Sequence, residues 1–76
     1  MDSVTLDVRE DIRNGVEPFG KIMEAVQNLK AGQRLVLINS FEPKPLYRVL
    51  EAEGFAHRAE ELENGDWRIT FFKNGD

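Results

Sequence analysis

The order of apolar and polar positions along the chain predicts strands alternating with helices. Val4, Leu6 and Val8 are separated by single polar residues, which is the period of two typical of a strand with one buried face. Four consecutive apolar residues at 35–38 predict a central strand covered on part of both faces, because a strand with one wet face would alternate. Between these strands, apolar residues three and four positions apart predict an amphipathic helix that begins near Pro18. The stripe of this helix consists of Phe19, Ile22, Met23, Val26 and Leu29.

The segment after the central strand predicts a second helix. Pro43 and Pro45 exclude further strand pairing, since proline has no N–H to donate to a neighbouring strand. A short apolar stripe in helical register follows, and Gly54 predicts the end of the helix. For the first helix, Lys30 and Gly32 predict the corresponding end. The stripe of the second helix consists of Leu46, Val49 and Leu50.

Two Asn-Gly pairs predict sharp changes of chain direction. Asn14-Gly15 lies in the charged stretch 9–17, which we interpret as a loop. Asn64-Gly65 predicts a tight turn between antiparallel strands at 55–63 and 66–73, because this pair readily adopts the turn geometry that hairpins need. The chain therefore ends in a predicted hairpin.

These elements predict the order β-α-β-α-β-β and an α/β fold of the two-layer sandwich kind, with a mixed four-stranded sheet and both helices on one face. The helical connection predicts that the first two strands are parallel and joined right-handedly. The face away from the helices then carries Val36, Ile38 and Phe72 among polar residues. This small apolar patch is either ordinary protein surface or the interface of a homodimer or another protein partner.

Composition excludes several classes of function. The 76 residues predict one domain, 1–76, and the absence of cysteine excludes disulfides, thiolate metal sites and a cysteine nucleophile. The net charge of −4, with basic residues scattered among acids, opposes binding to nucleic acid. The longest apolar run is four residues and the N-terminal segment lacks a signal pattern, so we expect no membrane partner and a cytoplasmic location. No cofactor is expected.

Three features together resemble a known family. They are the segment LDVRE at 6–10, the pair Glu17-Pro18 ahead of the first helix, and LVLIN at 35–39 followed by FEPKPLY at 41–47. The chain is similar to the TusA-like (SirA-like) small domains, and more closely to a bacterial group of uncharacterised relatives that show a similar acid-proline, basic-proline element. The resemblance covers residues 6–72 and implies the two-layer sandwich predicted above.

The chain departs from these families at three positions. TusA-like sulfur carriers place a cysteine in a Cys-Pro-x-Pro element at the start of the first helix; with the last proline aligned to Pro18, the cysteine falls at Gly15 and the first proline at Val16. Without the thiolate, persulfide transfer by that mechanism is excluded. The uncharacterised relatives often have a histidine after the second strand, and Phe41 stands at the matching position here, so a metal or redox role of that histidine does not carry over.

The edge formed by the two helix starts is the candidate binding site. Free N–H groups near Gly15 could bind an anion, although a tight loop with a repelling Glu17 is the favoured interpretation. Lys44 and Arg48 suit the second helix start better to an anion, unless the prolines there serve only to stiffen the turn. No catalytic or metal-binding residue is predicted, since the lone His57 has no partner ligands at suitable spacing. The candidate binding residues are Gly15, Glu17, Pro18, Phe41, Pro43, Lys44 and Arg48.

The sequence favours a non-catalytic module that binds a protein or a small ligand. The alternative is a component of a sulfur-transfer or redox pathway that uses a non-cysteine site between the two helix N-termini. A third hypothesis is self-association through the open face of the sheet. None of these identifies a ligand or a pathway.

Overall fold

The computed structural model describes residues 3–73, and in this part of the chain the fold is a four-stranded sheet with three helices. The strand order is β1-β2-β4-β3, with β1 parallel to β2 and the other pairs antiparallel, which confirms the predicted mixed sheet. Within the described residues, no helix is long and apolar enough to cross a membrane. The elements are β1 (Ser3–Asp7), α1 (Arg9–Arg13), α2 (Phe19–Gln27), β2 (Arg34–Asn39), α3 (Lys44–Ala52), β3 (Phe55–Glu61) and β4 (Trp67–Lys73).

The core lies between one face of the sheet and the two longer helices. Leu35 and Leu37 of β2 pair with Phe71 and Ile69 of β4, and all four are fully buried. Side chains from α2 and α3 pack on the same cluster, which confirms that both predicted helices cover one face. The buried apolar residues are Val8, Ile22, Val26, Leu35, Leu37, Leu46, Leu50, Phe55, Ile69 and Phe71.

The opposite face of the sheet has no helix on it and is covered partly by its own polar side chains. Strand alternation places Val36, Ile38 and Phe72 on this face, where each is half-buried. The guanidinium carbon of Arg34 lies 5.3 Å from the centre of the Phe72 ring. We call this surface the open face.

A short helix replaces part of the predicted loop at 9–17, so that prediction is wrong for α1. The helix ends in a compact motif: Gly15 has φ of 75°, its N–H donates to the carbonyl of Ile12 at 3.0 Å, and the N–H of Val16 donates to that of Asp11 at 2.8 Å. Glycine takes this left-handed conformation at little cost, which is why it stops the helix here. Five helical residues are too few to produce an apolar stripe in the sequence.

Three residues of the predicted apolar stripes are exposed rather than buried. Val4 is 38% exposed because β1 is an edge strand, and its end lies outside the area that the helices cover. Phe19, the first residue of α2, and Val49, in the second turn of α3, are 41% and 37% exposed and line the pocket between the two helices. Helical periodicity identifies the side of a helix that faces the sheet, and it does not show where the sheet ends.

Two predicted element ends also differ from the structure. Helix α2 ends at Gln27, so Lys30 and Gly32 lie in the turn that leads into β2 rather than at the helix end. The hairpin reverses at Asn64-Gly65 as predicted, but β3 ends at Glu61 and β4 begins only at Trp67. The connection is longer because the Gly65 N–H donates to the Leu62 carbonyl at 3.1 Å, forming a turn followed by a glycine with φ of 86°.

Candidate functional site

A pocket of about 230 Å³ lies between the starts of α2 and α3, at the end of the central strand β2. In folds with parallel strands and crossing helices, ligands bind at the carboxyl ends of the strands, where the following loops diverge. We call this pocket and its rim the helix-start pocket. It is lined by Glu17, Pro18, Phe19, Ile22, Asn39, Phe41, Pro43, Pro45, Leu46 and Val49.

The structure brings together six of the seven candidate residues, in two adjoining places. Glu17, Pro18, Phe41 and Pro43 line the helix-start pocket. Lys44 and Arg48 line a neighbouring open groove of about 550 Å³, and Pro45 and Val49 belong to both places. Gly15 lines neither, because it ends α1.

Exposed apolar side chains concentrate around this pocket. Five large apolar residues are exposed in the described part of the chain, and three of them line the pocket. Phe41 is 52% exposed, and Val16, at 54%, precedes the pocket residue Glu17. Contiguous exposed apolar surface of this kind marks binding sites more often than scattered single residues do. The three lining residues are Phe19, Phe41 and Val49.

The polar group at the floor of the pocket is Asn39, which sequence reasoning missed. It is 2% exposed and its Oδ1 accepts a hydrogen bond from the N–H of Ser40 at 3.0 Å. Its Nδ2 donates to no residue at 3–73, and Asn39 lines the pocket. Asn39 is on the same face of β2 as Leu35 and Leu37, two residues further along the strand. A polar residue at a position that faces the core was the feature of the sequence that could have indicated it.

The start of α2 is already occupied by a carboxylate of the chain itself. The N–H of Phe19 donates to Oε1 of Glu17 at 2.7 Å, and the N–H of Gly15 is used in ending α1. A carboxylate at a helix N-terminus satisfies the free N–H groups and the positive end of the helix dipole. This helix start therefore offers little attraction to a further anion.

At the start of α3, unlike that of α2, positive charge is supplied by two side chains. The N–H groups at positions 44 and 46 donate to the carbonyls of Glu42 and Pro43, and Pro45 has no N–H. Lys44 and Arg48 are exposed and lie one turn apart on the helix, so they are neighbours on its surface. Across residues 3–73, neither forms a salt bridge.

A stack of side chains holds the loop beside the pocket. The hydroxyl of Tyr47 donates to Oε2 of Glu42 at 3.1 Å, and its ring stacks on His57 with centres 3.8 Å apart and planes 11° from parallel. Burial, together with the hydrogen bond to Glu42, raises the pKa of Tyr47 to about 12. The contact fixes the segment that carries Phe41 to α3 and to β3.

A comparison with protein-family models gives one match, over residues 5–73, to a family described as an uncharacterized conserved protein, DUF2249. The chain belongs to the DUF2249 family. Neither a curated protein nor a solved structure matches it. The match includes every residue that lines the helix-start pocket of this DUF2249 chain.

The pocket of this DUF2249 domain is lined mainly by apolar side chains. The lining offers apolar surface, the amide of Asn39 and the carboxylate of Glu17, which is engaged as a helix cap. No cluster of three or more metal-binding side chains exists among the residues that the structure describes. An amide donor in an apolar pocket fixes the orientation of a ligand and neither attacks it nor transfers a proton.

Proposed function

We propose that this DUF2249 domain is a non-catalytic binding module that takes an apolar group of a protein or small ligand into the helix-start pocket. The observation that carries the proposal is the arrangement of Phe19, Phe41 and Val49, all exposed, around a pocket whose floor offers the Asn39 amide. Apolar pockets with few, well-placed polar groups are the usual form of binding sites. Burying the three side chains on a ligand would remove apolar surface from water, which drives association.

The resemblance to TusA-like domains of bacteria is part of the same proposal. The order of strands and longer helices agrees with the fold that the resemblance implies. Gly15, which stands where the carriers have their cysteine, ends α1 and lies outside the pocket. With no cysteine in the chain, any part in a sulfur-transfer or redox pathway would consist of binding at the edge between the helix starts. A cytoplasmic location belongs to this proposal as well.

The experiment that tests the proposal is a titration of the ¹⁵N-labelled domain with small apolar probes, using indole and benzyl alcohol. We expect backbone amide shifts to concentrate at 17–22 and 39–49, the two segments that form the pocket. Replacement of the most exposed rim residue, Phe41→Ser, should weaken binding of both probes. Val4→Ser is the matched control, because Val4 is also exposed but lies on the edge strand β1.

Two outcomes would contradict the proposal. One is the absence of localised shifts with either probe at millimolar concentration. The other is binding that Phe41→Ser leaves unchanged, which would place the probes elsewhere on the domain.

A further inference from the structure

We infer that the ligand of the helix-start pocket is a segment of a partner polypeptide that presents one apolar side chain flanked by acidic residues. This inference rests on the proposed function and names its partner chemistry. Three observations carry it: the size of the pocket, its exposed apolar rim, and the two cations of the adjoining groove.

The size of the pocket fits a single side chain. Its volume of about 230 Å³ is below the range of roughly 300–1,000 Å³ typical of sites that enclose a whole small molecule. Phe19, Phe41 and Val49 stand around it with large exposed fractions, so a ligand confined to the pocket would leave them in water. A polypeptide places one residue in the pocket and covers the rim with the residues on either side of it. Protein interfaces often have this form, in which a central anchor is surrounded by contacts that contribute little energy but exclude water.

The buried amide of Asn39 predicts that the ligand carries a hydrogen-bond acceptor beside its apolar group. Nδ2 of Asn39 is a hydrogen-bond donor without an acceptor in residues 3–73, and leaving such a group unpaired when water is displaced is unfavourable. A backbone carbonyl of the entering segment would supply the acceptor. Every residue of a polypeptide carries one, so this requirement places no limit on the side chain that enters.

The charges beside the pocket specify the flanking residues. Lys44 and Arg48 line the groove that adjoins the pocket through Pro45 and Val49. Glu42, the carboxylate nearest to Lys44 along the chain, accepts from the Tyr47 hydroxyl, and Glu17 on the pocket lining accepts from the Phe19 N–H. Glu51, three residues after Arg48, forms no salt bridge with it. An acidic side chain of the partner would therefore lie over the α3 side, where Lys44 and Arg48 form no salt bridge within residues 3–73.

The net charge of the domain and the cations of the groove favour peptides of opposite charge. A chain with net charge −4 attracts basic peptides at long range, so a preference for acidic flanks must come from local cations. The overall field and the groove thus predict opposite preferences.

The test uses four probes in titrations of the ¹⁵N-labelled domain at low salt. Three are blocked heptapeptides that differ in their three central residues: Phe between two Asp, Phe between two Lys, and Ser between two Asp. The fourth is 3-phenylpropionate, a small apolar acid. We expect the Asp-flanked Phe peptide to bind about three- to tenfold more tightly than the Lys-flanked one, the range that two exposed charge pairs produce. The Ser peptide should not bind.

Charge removal identifies the source of the preference. In the double variant Lys44→Gln, Arg48→Gln the two Phe peptides should bind within about twofold of each other, or in reversed order. The control is Lys30→Gln, Arg58→Gln, which removes the same charge at two exposed positions outside the groove and should keep the preference.

The outcomes separate this inference from the proposed function. Equal or tighter binding of the Lys-flanked peptide at the pocket overturns the acidic flanks and leaves the pocket as a binding site. Binding of 3-phenylpropionate as tight as that of the Asp-flanked Phe peptide overturns the polypeptide partner. Absence of binding by all four probes, while indole and benzyl alcohol shift the pocket amides, also overturns the inference alone; if those two fail as well, the proposed function fails.

Discussion

The helix-start pocket and the open face both carry apolar side chains outside the core, but only the pocket leaves them uncovered. Phe41, on the pocket rim, is 52% exposed. Phe72, on the open face, is half-buried and has the Arg34 guanidinium 5.3 Å above its ring. The comparison shows that an apolar residue outside the core indicates a partner only when the chain's own long side chains do not cover it.

The open face is covered because its rows of residues mix charge with apolar groups. Arg68 forms a salt bridge with Glu60 at 2.8 Å, and Val36 and Ile38 lie in the centre of the sheet between polar neighbours. At the pocket, three of the lining residues are prolines, at positions 18, 43 and 45, which have no long side chains to cover the exposed rings.

The largest effect separates the two faces of strand β2. Leu37→Ala should lower the free energy of unfolding by about 2–5 kcal/mol, because Leu37 is fully buried and its truncation leaves a cavity. Val36→Ala, on the open face, should cost about 1 kcal/mol. Urea unfolding followed by the fluorescence of the single tryptophan, Trp67, measures both. Equal losses would mean that the open face is buried against another molecule.

The next effect compares the two phenylalanines directly. Phe72→Ser should lower the free energy of unfolding by about 1–2 kcal/mol, since it removes half-buried surface that packs under Arg34. Phe41→Ser should change it by less than about 0.5 kcal/mol, while it weakens probe binding. The same urea experiment measures the difference. A larger loss for Phe41→Ser would show that its ring supports the fold.

A third prediction concerns Tyr47, which holds the loop that carries the pocket rim. Burial and the contact with Glu42 raise the pKa of Tyr47 to about 12 from 10.0. The stability that this shift represents is fully present below pH 10 and is lost as the pH rises through the folded value near 12. The phenolate absorbance of the folded domain reports this residue alone, because Tyr47 is the only tyrosine. Glu42→Gln should lower the midpoint part of the way towards 10.0.

A smaller effect is expected at the end of β1, beside the open face. Hydrogen bonds from Arg9 lower the pKa of Asp7 below 3.8. The stability that this carboxylate contributes is present above 3.8 and is lost as the pH falls through its lower folded pKa. Asp7→Asn should therefore lower the urea midpoint near pH 7, and the difference from the unmodified chain should vanish at strongly acid pH. A difference that persists there would have another cause.

The smallest effect is a predicted absence of change. If the open face is covered as described, the domain should sediment as a monomer up to high micromolar concentration, and Ile38→Glu should not alter its sedimentation coefficient. A concentration-dependent dimer that Ile38→Glu abolishes would break the comparison and would support the homodimer through Val36, Ile38 and Phe72.

Periodicity predicted the sheet, the two longer helices and the hairpin, because these elements bury apolar side chains in a regular order. It failed for α1, which is five residues long and has only one partly buried apolar residue, Ile12. It also failed to show that Phe19 and Val49 are exposed, since both occupy regular positions in their stripes. Exposure along a helix depends on the extent of the sheet beneath it, and the sequence of the helix carries no record of that extent.

For the candidate site, the sequence indicated residues that the structure brings close together and missed Asn39. Prolines, glycines and charges at the helix starts led to six residues of the two adjoining surfaces. Asn39 continues the inward alternation of Leu35 and Leu37, but it follows an uninterrupted apolar run in which alternation is not visible in the sequence. The Asn39 amide lies at the floor of a pocket because the end of β2 meets α2 and α3 there, and this arrangement is formed only in three dimensions.

The position of Asn39 has a kinetic consequence. It is the last residue of β2, which is hydrogen-bonded to β1 on one side and β4 on the other, and Asn39 itself is opposite Trp67. The floor of the pocket therefore moves with the sheet rather than with a loop, so no gate needs to open before a partner enters. Association should follow single-step kinetics, with a rate set by diffusion and by salt, and differences in affinity should appear as differences in residence time.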